Sequence, residues 1–396
     1  VEGAQHLGLM PRGVNGCLGG MWRTSVSRRL IATSVSALLL VGLPAAAIAQ
    51  DEATDPAPMW DTSVKQHAMD VAAYGDGFVL VGGADKKPKA RIWLSADGTG
   101  WSKVKDSDVF DKVSLKRVTA SDDGIVALGT QGRKLVALRS ADGETWRKST
   151  VDKAAKEMTM YPDAIVDGPA GLVAVASMIG QDLAGQQFYT SSDGRSWQQI
   201  DPPSDTAVGM FVSLEATDDE YYAVSRPMFV PTDELLYRSA DAVTWELIES
   251  PADGDVYDLA IGADGSFVGV GQDTETFLPA IWRADEPGTW ERVYSVTTGK
   301  ETSERLQTVS VGGPGFLAGG ITSSCPNQPS RYCPSAAILA SADGVEWQAL
   351  GVEDGVPGPL HDTAPRSIAG NADNTVMVAW HDDNRPVEAW MLPSAE

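Results

Sequence analysis

A chain of 396 residues, 43% of them hydrophobic, has enough apolar material for one large domain or for two to three ordinary ones. Its 40 glycines, 23 prolines and 12 tryptophans, without any long amphipathic period, exclude a helical bundle and point to short strands joined by tight turns. A formal charge of −23 argues against nucleic acid or anionic lipid as partners.

Residues 1–49 stand outside that pattern. From Met21 the text runs MWRTSVSRR, then LIATSVSALLLVGLPAAAIA, with small residues at Ala47 and Ala49. A basic start, an apolar run and small residues at the cut predict a secretory signal cleaved after Ala49, with 1–20 a mis-set translation start. Ser27-Arg28-Arg29 is a partial twin-arginine pattern, so both that route and the general secretory route stay open. A retained anchor is the alternative, weakened by Pro44 and the alanines. After cleavage no stable membrane span is expected. QDEATDPAP, residues 50–58, reads as a flexible linker.

From residue 59 onward two phrases alternate. The first is a turn: SADGTGW (95–101), SADGETW (140–146), SSDGRSW (191–197), SADAVTW (239–245), RADEPGTW (283–290) and SADGVEW (341–347). Successive aspartates lie 44 to 58 residues apart, a spacing that marks a repeat architecture. The second is a strand behind its own turn signal, as in DGFVLVGG (76–83), DGIVALGT (123–130) and DGSFVGVG (264–271), and it occurs seven times against six boxes. Met59-Trp60 reads as the second half of a missing box and Ser394-Ala395-Glu396 as the first half. Near the end, CPNQPSRYC holds Cys325 and Cys333, the two cysteines left once the signal removes Cys17. Outside the cytoplasm they are expected to form a disulfide, since two thiols alone make an incomplete metal site.

These phrases resemble the Asp-box (BNR repeat) β-propellers of the sialidase-like superfamily, whose turn consensus is roughly S-x-D-x-G-x-T-W. Five copies here are one residue shorter, and one has Arg283 where serine is usual. The resemblance implies an all-β, seven-bladed propeller over 59–396. Each blade would have four antiparallel strands, with the N-terminal strand joining the last blade to close the ring. It assigns Asp97, Asp142, Asp193, Asp241, Asp285 and Asp343 a structural role in the turns. There serine and aspartate side chains bond nearby amides and the tryptophan enters the core.

Chemistry is then expected on the opposite face. The three histidines of the mature chain, His67, His361 and His381, all fall in predicted loops there, with Asp362, Asp382 and Asp383 next to them. Imidazole with carboxylate suits a divalent metal or an acid/base pair, although exposed loop residues of an acidic protein have the same composition. No cofactor is required, and a divalent metal is the one with candidate ligands. Arg226, Arg305 and Arg366, with Arg117, are candidates for an anion clamp of the kind sialidases use, beside a Tyr-Glu nucleophile pair. The early R-I-P motif of those enzymes is absent, and their catalytic domains have six blades. Seven-bladed Asp-box relatives include photosystem II assembly factors and xyloglucan hydrolases. The function expected is a secreted, monomeric binding or scaffolding module for an extracytoplasmic protein or glycan; the alternative is a sialidase-like or other glycoside hydrolase.

Overall fold

Runs such as GFVLVGG are apolar at almost every position, which suits a strand covered on both faces, whereas the runs before them alternate. The computed structural model describes residues 68–83, 88–180, 184–203, 209–227, 235–295, 305–313, 315–322, 335–350, 363–381 and 388–392. They form an all-β propeller of antiparallel sheets. Gly77–Gly83, the second strand of the first sheet, is buried along its whole length, while the strand before it alternates more loosely.

Each sheet opens on an inner strand. These are Ala68–Tyr74, Ser114–Ser121, Thr159–Gly168, Gly209–Ala216, Gly254–Ile261, Arg305–Gly312 and Thr363–Gly370. The following strands hairpin outward in sequence order. Six sheets carry four strands, and the seventh has three: Thr363–Gly370, Thr375–His381 and Glu388–Leu392. Six complete four-stranded blades therefore stand where the repeats predict seven. The strand that Met59-Trp60 was to add lies outside the described residues, as do 1–49, 50–58, Cys325, Cys333 and Ser394-Ala395-Glu396. No helix among the described residues is long and apolar enough to cross a membrane.

The core is divided among the seams between sheets. Val79 and Ile92 of the first sheet pack with Leu115 and Leu138 of the second, and Val173 and Phe188 of the third with Phe211 and Tyr237 of the fourth. Ala68, Phe78 and Trp93 of the first sheet share a cluster with Val376 and Val378 of the seventh. Asn371 Nδ2 donates to the Asp76 carbonyl across that same seam (2.6 Å).

The box turns follow local chemistry. Asp97 Oδ1 accepts from the amides of Thr99 (2.8 Å) and Gly100 (3.0 Å), while Ser95 Oγ accepts from the Gly98 amide (2.9 Å). The same aspartate pattern recurs at Asp142, Asp193, Asp241 and Asp343. These amides hold the Asp97 and Asp241 carboxyls down at about 2. The position after the aspartate lies at positive φ, 74° at Gly143 and 62° at Ala242, the region glycine enters without strain. Asp285 differs: Arg283, standing where serine is usual, donates to its Oδ1 (2.5 Å).

The box tryptophans correct the expectation of core burial. Trp146 is buried, but Trp101, Trp197, Trp245, Trp290 and Trp347 are only half-buried. In five copies Nε1 donates back to the carbonyl two residues after serine's neighbour, as from Trp101 to Gly98 (3.1 Å) and from Trp146 to Gly143 (2.8 Å). That bond ties the ring to its own turn; with it Trp146 is buried in a seam, while Trp101, Trp197, Trp245 and Trp347 pack partly buried against theirs. Among the described side chains Trp93 and Trp282, on third strands, are buried with Trp146.

Candidate functional site

Alternation along the inner strands breaks at one place in each. Pairs such as Lys116-Arg117, Tyr257-Asp258, Gln307-Thr308 and Arg366-Ser367 sit between apolar residues and cannot both face the same way in a regular strand. The register against the second strand slips there by one residue in all seven sheets. The extra residues are Met69, Lys116, Asp163, Val212, Tyr257, Gln307 and Arg366. Such bulges bend a strand and re-aim its side chains. Here residues of all seven inner strands line a single cavity of about 360 Å³.

Its wall mixes four arginines with four acids. Arg117, Arg305 and Arg366 come from inner strands and Arg226 from Tyr221–Pro227, the second strand of the fourth sheet; the acids are Asp70, Asp163, Glu215 and Asp258. Several of these groups also link one sheet to the next. Asp70 Oδ2 accepts from the Val118 amide and Asp258 Oδ2 from the Val309 amide, both at 2.9 Å. Arg117 Nε donates to the Asp163 carbonyl, and Arg366 Nε to the Met69 carbonyl (2.9 Å). Gln186 reaches Asp163 (2.8 Å) and accepts from the Phe211 amide (2.6 Å). The Arg226 guanidinium carbon lies 3.7 Å from the centre of the Tyr257 ring, a cation–π stack that holds its plane against the wall.

Burial raises the proton affinity of all four acids. For Asp70 it is opposed by Arg117, Ser367, the Val118 amide and Arg366, and for Asp163 by Ser177, Gln186 and Arg117. For Asp258 the opposition comes from Ser213, the Val309 amide and Thr308. Glu215 is pushed well above the usual carboxylate range, first by burial and then by the Asp258 carboxylate. The site thus presents guanidinium forks suited to a carboxylate or other oxyanion, beside an acid pair with displaced proton affinities.

The structure brings Arg226, Arg305 and Arg366 into this one cavity. His67, His361, Asp362, Asp382 and Asp383 lie outside the described residues. His381, expected in a loop, is instead the last residue of the strand Thr375–His381, because its backbone pairs with Thr363. Sequence reasoning missed Asp70, Asp163, Glu215, Tyr257 and Asp258 as site residues. Paired residues interrupting an alternating run were the signal for two of them, Tyr257 and Asp258.

No protein-family model and no curated protein matches the chain. Solved structures do. The chain is similar to YCF48 bound to D1 peptide, with a TM-score of 0.53 and 16% identity over 84% of this chain and 93% of that one. It is similar to oligogalacturonate lyase in complex with manganese, with a TM-score of 0.54 and 14% identity over 86% and 93%. It is also similar to the GH74 xyloglucanase from Xanthomonas campestris, with a TM-score of 0.51 and 14% identity over 83% of this chain and 55% of the enzyme. At these identities the likeness establishes the propeller fold.

Proposed function

We propose that the chain is an exported binding or scaffolding propeller that takes a protein or glycan ligand at the arginine-lined axial cavity. The observation that carries this reading is the convergence of seven bulged inner strands on one cavity with four guanidinium groups. In a chain of charge −23, such a cluster selects a carboxylate-bearing segment by geometry, since the overall field gives no long-range attraction. YCF48, solved with D1 peptide, has a similar fold, which supports a peptide as one form of that ligand. The reading includes an Asp-box propeller of seven blades in a closed ring, the last completed by the strand at Met59-Trp60.

A second reading, glycoside hydrolysis, is favoured by one observation. Glu215 feels the Asp258 carboxylate in a cavity that also holds Tyr257, and two carboxyl groups with separated proton affinities are what acid/base hydrolysis requires. Fluorogenic sialosides and β-glucans, run beside a pull-down from envelope extract, separate the two. Binding predicts a stable partner without turnover, and Arg366→Ala is expected to weaken capture at least tenfold. Turnover abolished by Arg366→Ala would instead establish the hydrolase.

Export, a divalent metal held by His67, His361 and His381, and the Cys325–Cys333 disulfide remain part of the proposal. Mass spectrometry of protein recovered outside the cytoplasm is expected to read an N terminus at Gln50 and a crosslinked Cys325–Cys333 peptide. An intact residue 1–49 segment or two free thiols would remove the corresponding element.

A further inference from the structure

The repeats allow one blade to be compared with another at equivalent positions. In the fourth sheet Arg238, next to the end of the third strand, pairs across to Glu246 (3.1 Å); in the fifth, Arg283 stands opposite Glu291 and pairs with Asp285 (2.5 Å) and Asp264 (3.5 Å). In the second sheet the same position is Arg139, and the residue opposite it is Arg147. Like charges directly across an antiparallel pair are destabilising. The residue opposite is an acid in the fourth and fifth sheets and a neutral Ser102, Gln198 or Gln348 in the first, third and sixth; in the second it is a guanidinium.

Three further features make this place a built pocket. Arg139 Nε is enclosed and has no hydrogen-bond partner, whereas the equivalent Arg283 Nε donates to the Asp343 carbonyl (3.2 Å). The box of the third sheet closes over it, with Ser149 Oγ donating to the Gly194 carbonyl (3.3 Å). Gly194 lies at φ 65° with Arg139 Cδ only 3.0 Å from where a Cβ would stand, so this residue makes room for the guanidinium stem. The resulting cavity, about 190 Å³, is lined by Arg139, Arg147, Lys148, Ser149, Gly194 and Arg195, with no carboxylate among them. Arg139 and Arg195 also line the larger cleft beside it, together with Asp123, Asp167 and Asp193, and after the Ser196 and Arg195 amides the Arg195 charge contributes to holding the Asp193 carboxyl down. None of the four cations has an ion pair among the described residues, and the pocket shares no residue with the axial cavity.

We propose that the rim between the second and third sheets binds a tetrahedral oxyanion, sulfate or phosphate, between Arg139 and Arg147 with Lys148 and Arg195 beside it. Guanidinium forks match such an anion bidentately, and an occupant relieves the Arg139–Arg147 repulsion. The site is independent of the ligand proposed for the axial cavity.

Thermal unfolding of the full chain in sodium sulfate, sodium phosphate and sodium chloride at matched ionic strength tests this. Sulfate or phosphate is expected to raise the melting temperature in a saturable way that chloride does not, and the tighter of the two identifies the source. Arg147→Glu restores the Arg–Glu arrangement of the fourth sheet. It is expected to be at least as stable as wild type without anion and to bind the better anion at least tenfold more weakly by calorimetry. Arg139→Gln is expected to lose binding likewise. Lys156→Gln, beyond the opposite end of the strand Arg147–Lys153, is expected to leave binding unchanged. Equal responses to all three salts, or binding retained in Arg147→Glu, overturn the proposal.

Discussion

Replacing Trp282 with alanine is expected to lower the unfolding free energy by about 3–5 kcal/mol, at the large end of the range for buried side chains. The indole is 1% exposed in the seam between the fourth and fifth sheets, against Tyr222, Val256 and Phe267. The site is poorly able to collapse, because the ring edge lies over Gly254, where a Cβ would meet Cζ2 at 2.2 Å. Alanine leaves this hole and also removes the bond from Nε1 to Asp253 (2.9 Å). Trp282→Phe refills part of the volume without that donor, and about 1–3 kcal/mol is expected. Val256 in the same cluster precedes Tyr257 and Asp258, so the alanine variant is also expected to loosen the fifth-sheet wall of the axial cavity. Denaturant unfolding with an unchanged m-value is the measurement. A loss under about 1 kcal/mol would mean that the seam repacks and that the interior tryptophans do not hold the blades together.

How much of this was readable in advance depends on the range of the interaction. The box turns were legible because serine, aspartate and tryptophan act on amides and carbonyls within seven residues of one another, as from Asp142 to Glu144 and Thr145. Burial of the box rings was less legible: Trp101 reads as a core residue by composition and is half-buried, whereas Trp146, with the same bond to its own turn, is buried, a difference set by the neighbouring sheet. The axial cavity was hidden for another reason. Asp70 and Asp258 look like surface residues on alternating strands until the register with a partner strand is known, and only the bulge turns them into the cavity. Arg226, Arg305 and Arg366 were visible as candidates, but their meeting depends on contacts between sheets far apart in sequence, such as Arg366 with Met69. The Arg139–Arg147 pair became visible only when strand register showed that blade four has a glutamate at the equivalent place.

Glu215→Gln is expected to stabilise the protein at neutral pH, by an amount that disappears as the pH falls toward the ordinary glutamate range. Glu215 lines the axial cavity on the inner strand Gly209–Ala216, where burial and then the Asp258 carboxylate raise its proton affinity well above normal. Between the ordinary glutamate value of 4.5 and the raised folded value, the native state binds the proton and the unfolded chain does not. Stability therefore falls as pH rises through that interval. The penalty is absent below 4.5 and complete above the folded value, each unit of displacement corresponding to about 1.4 kcal/mol. Asp97 and Asp241 behave in the opposite sense: their carboxyls are held down at about 2, so their support is present above 3.8 and is lost only in strong acid. Glutamine keeps the shape of the protonated acid and removes the charge, so Glu215→Gln is expected to melt higher than wild type at pH 7–8 and to converge with it near pH 4.5. Asp258→Asn provides the cross-check. It removes the second cause of the displacement while keeping an oxygen for the Val309 amide, and the interval over which wild type loses stability is expected to shorten. The measurement is the melting temperature of the three proteins from pH 4 to 8. Parallel curves for wild type and Glu215→Gln across that range would mean that Glu215 titrates normally, and both the acid pair and the hydrolytic reading built on it would fall.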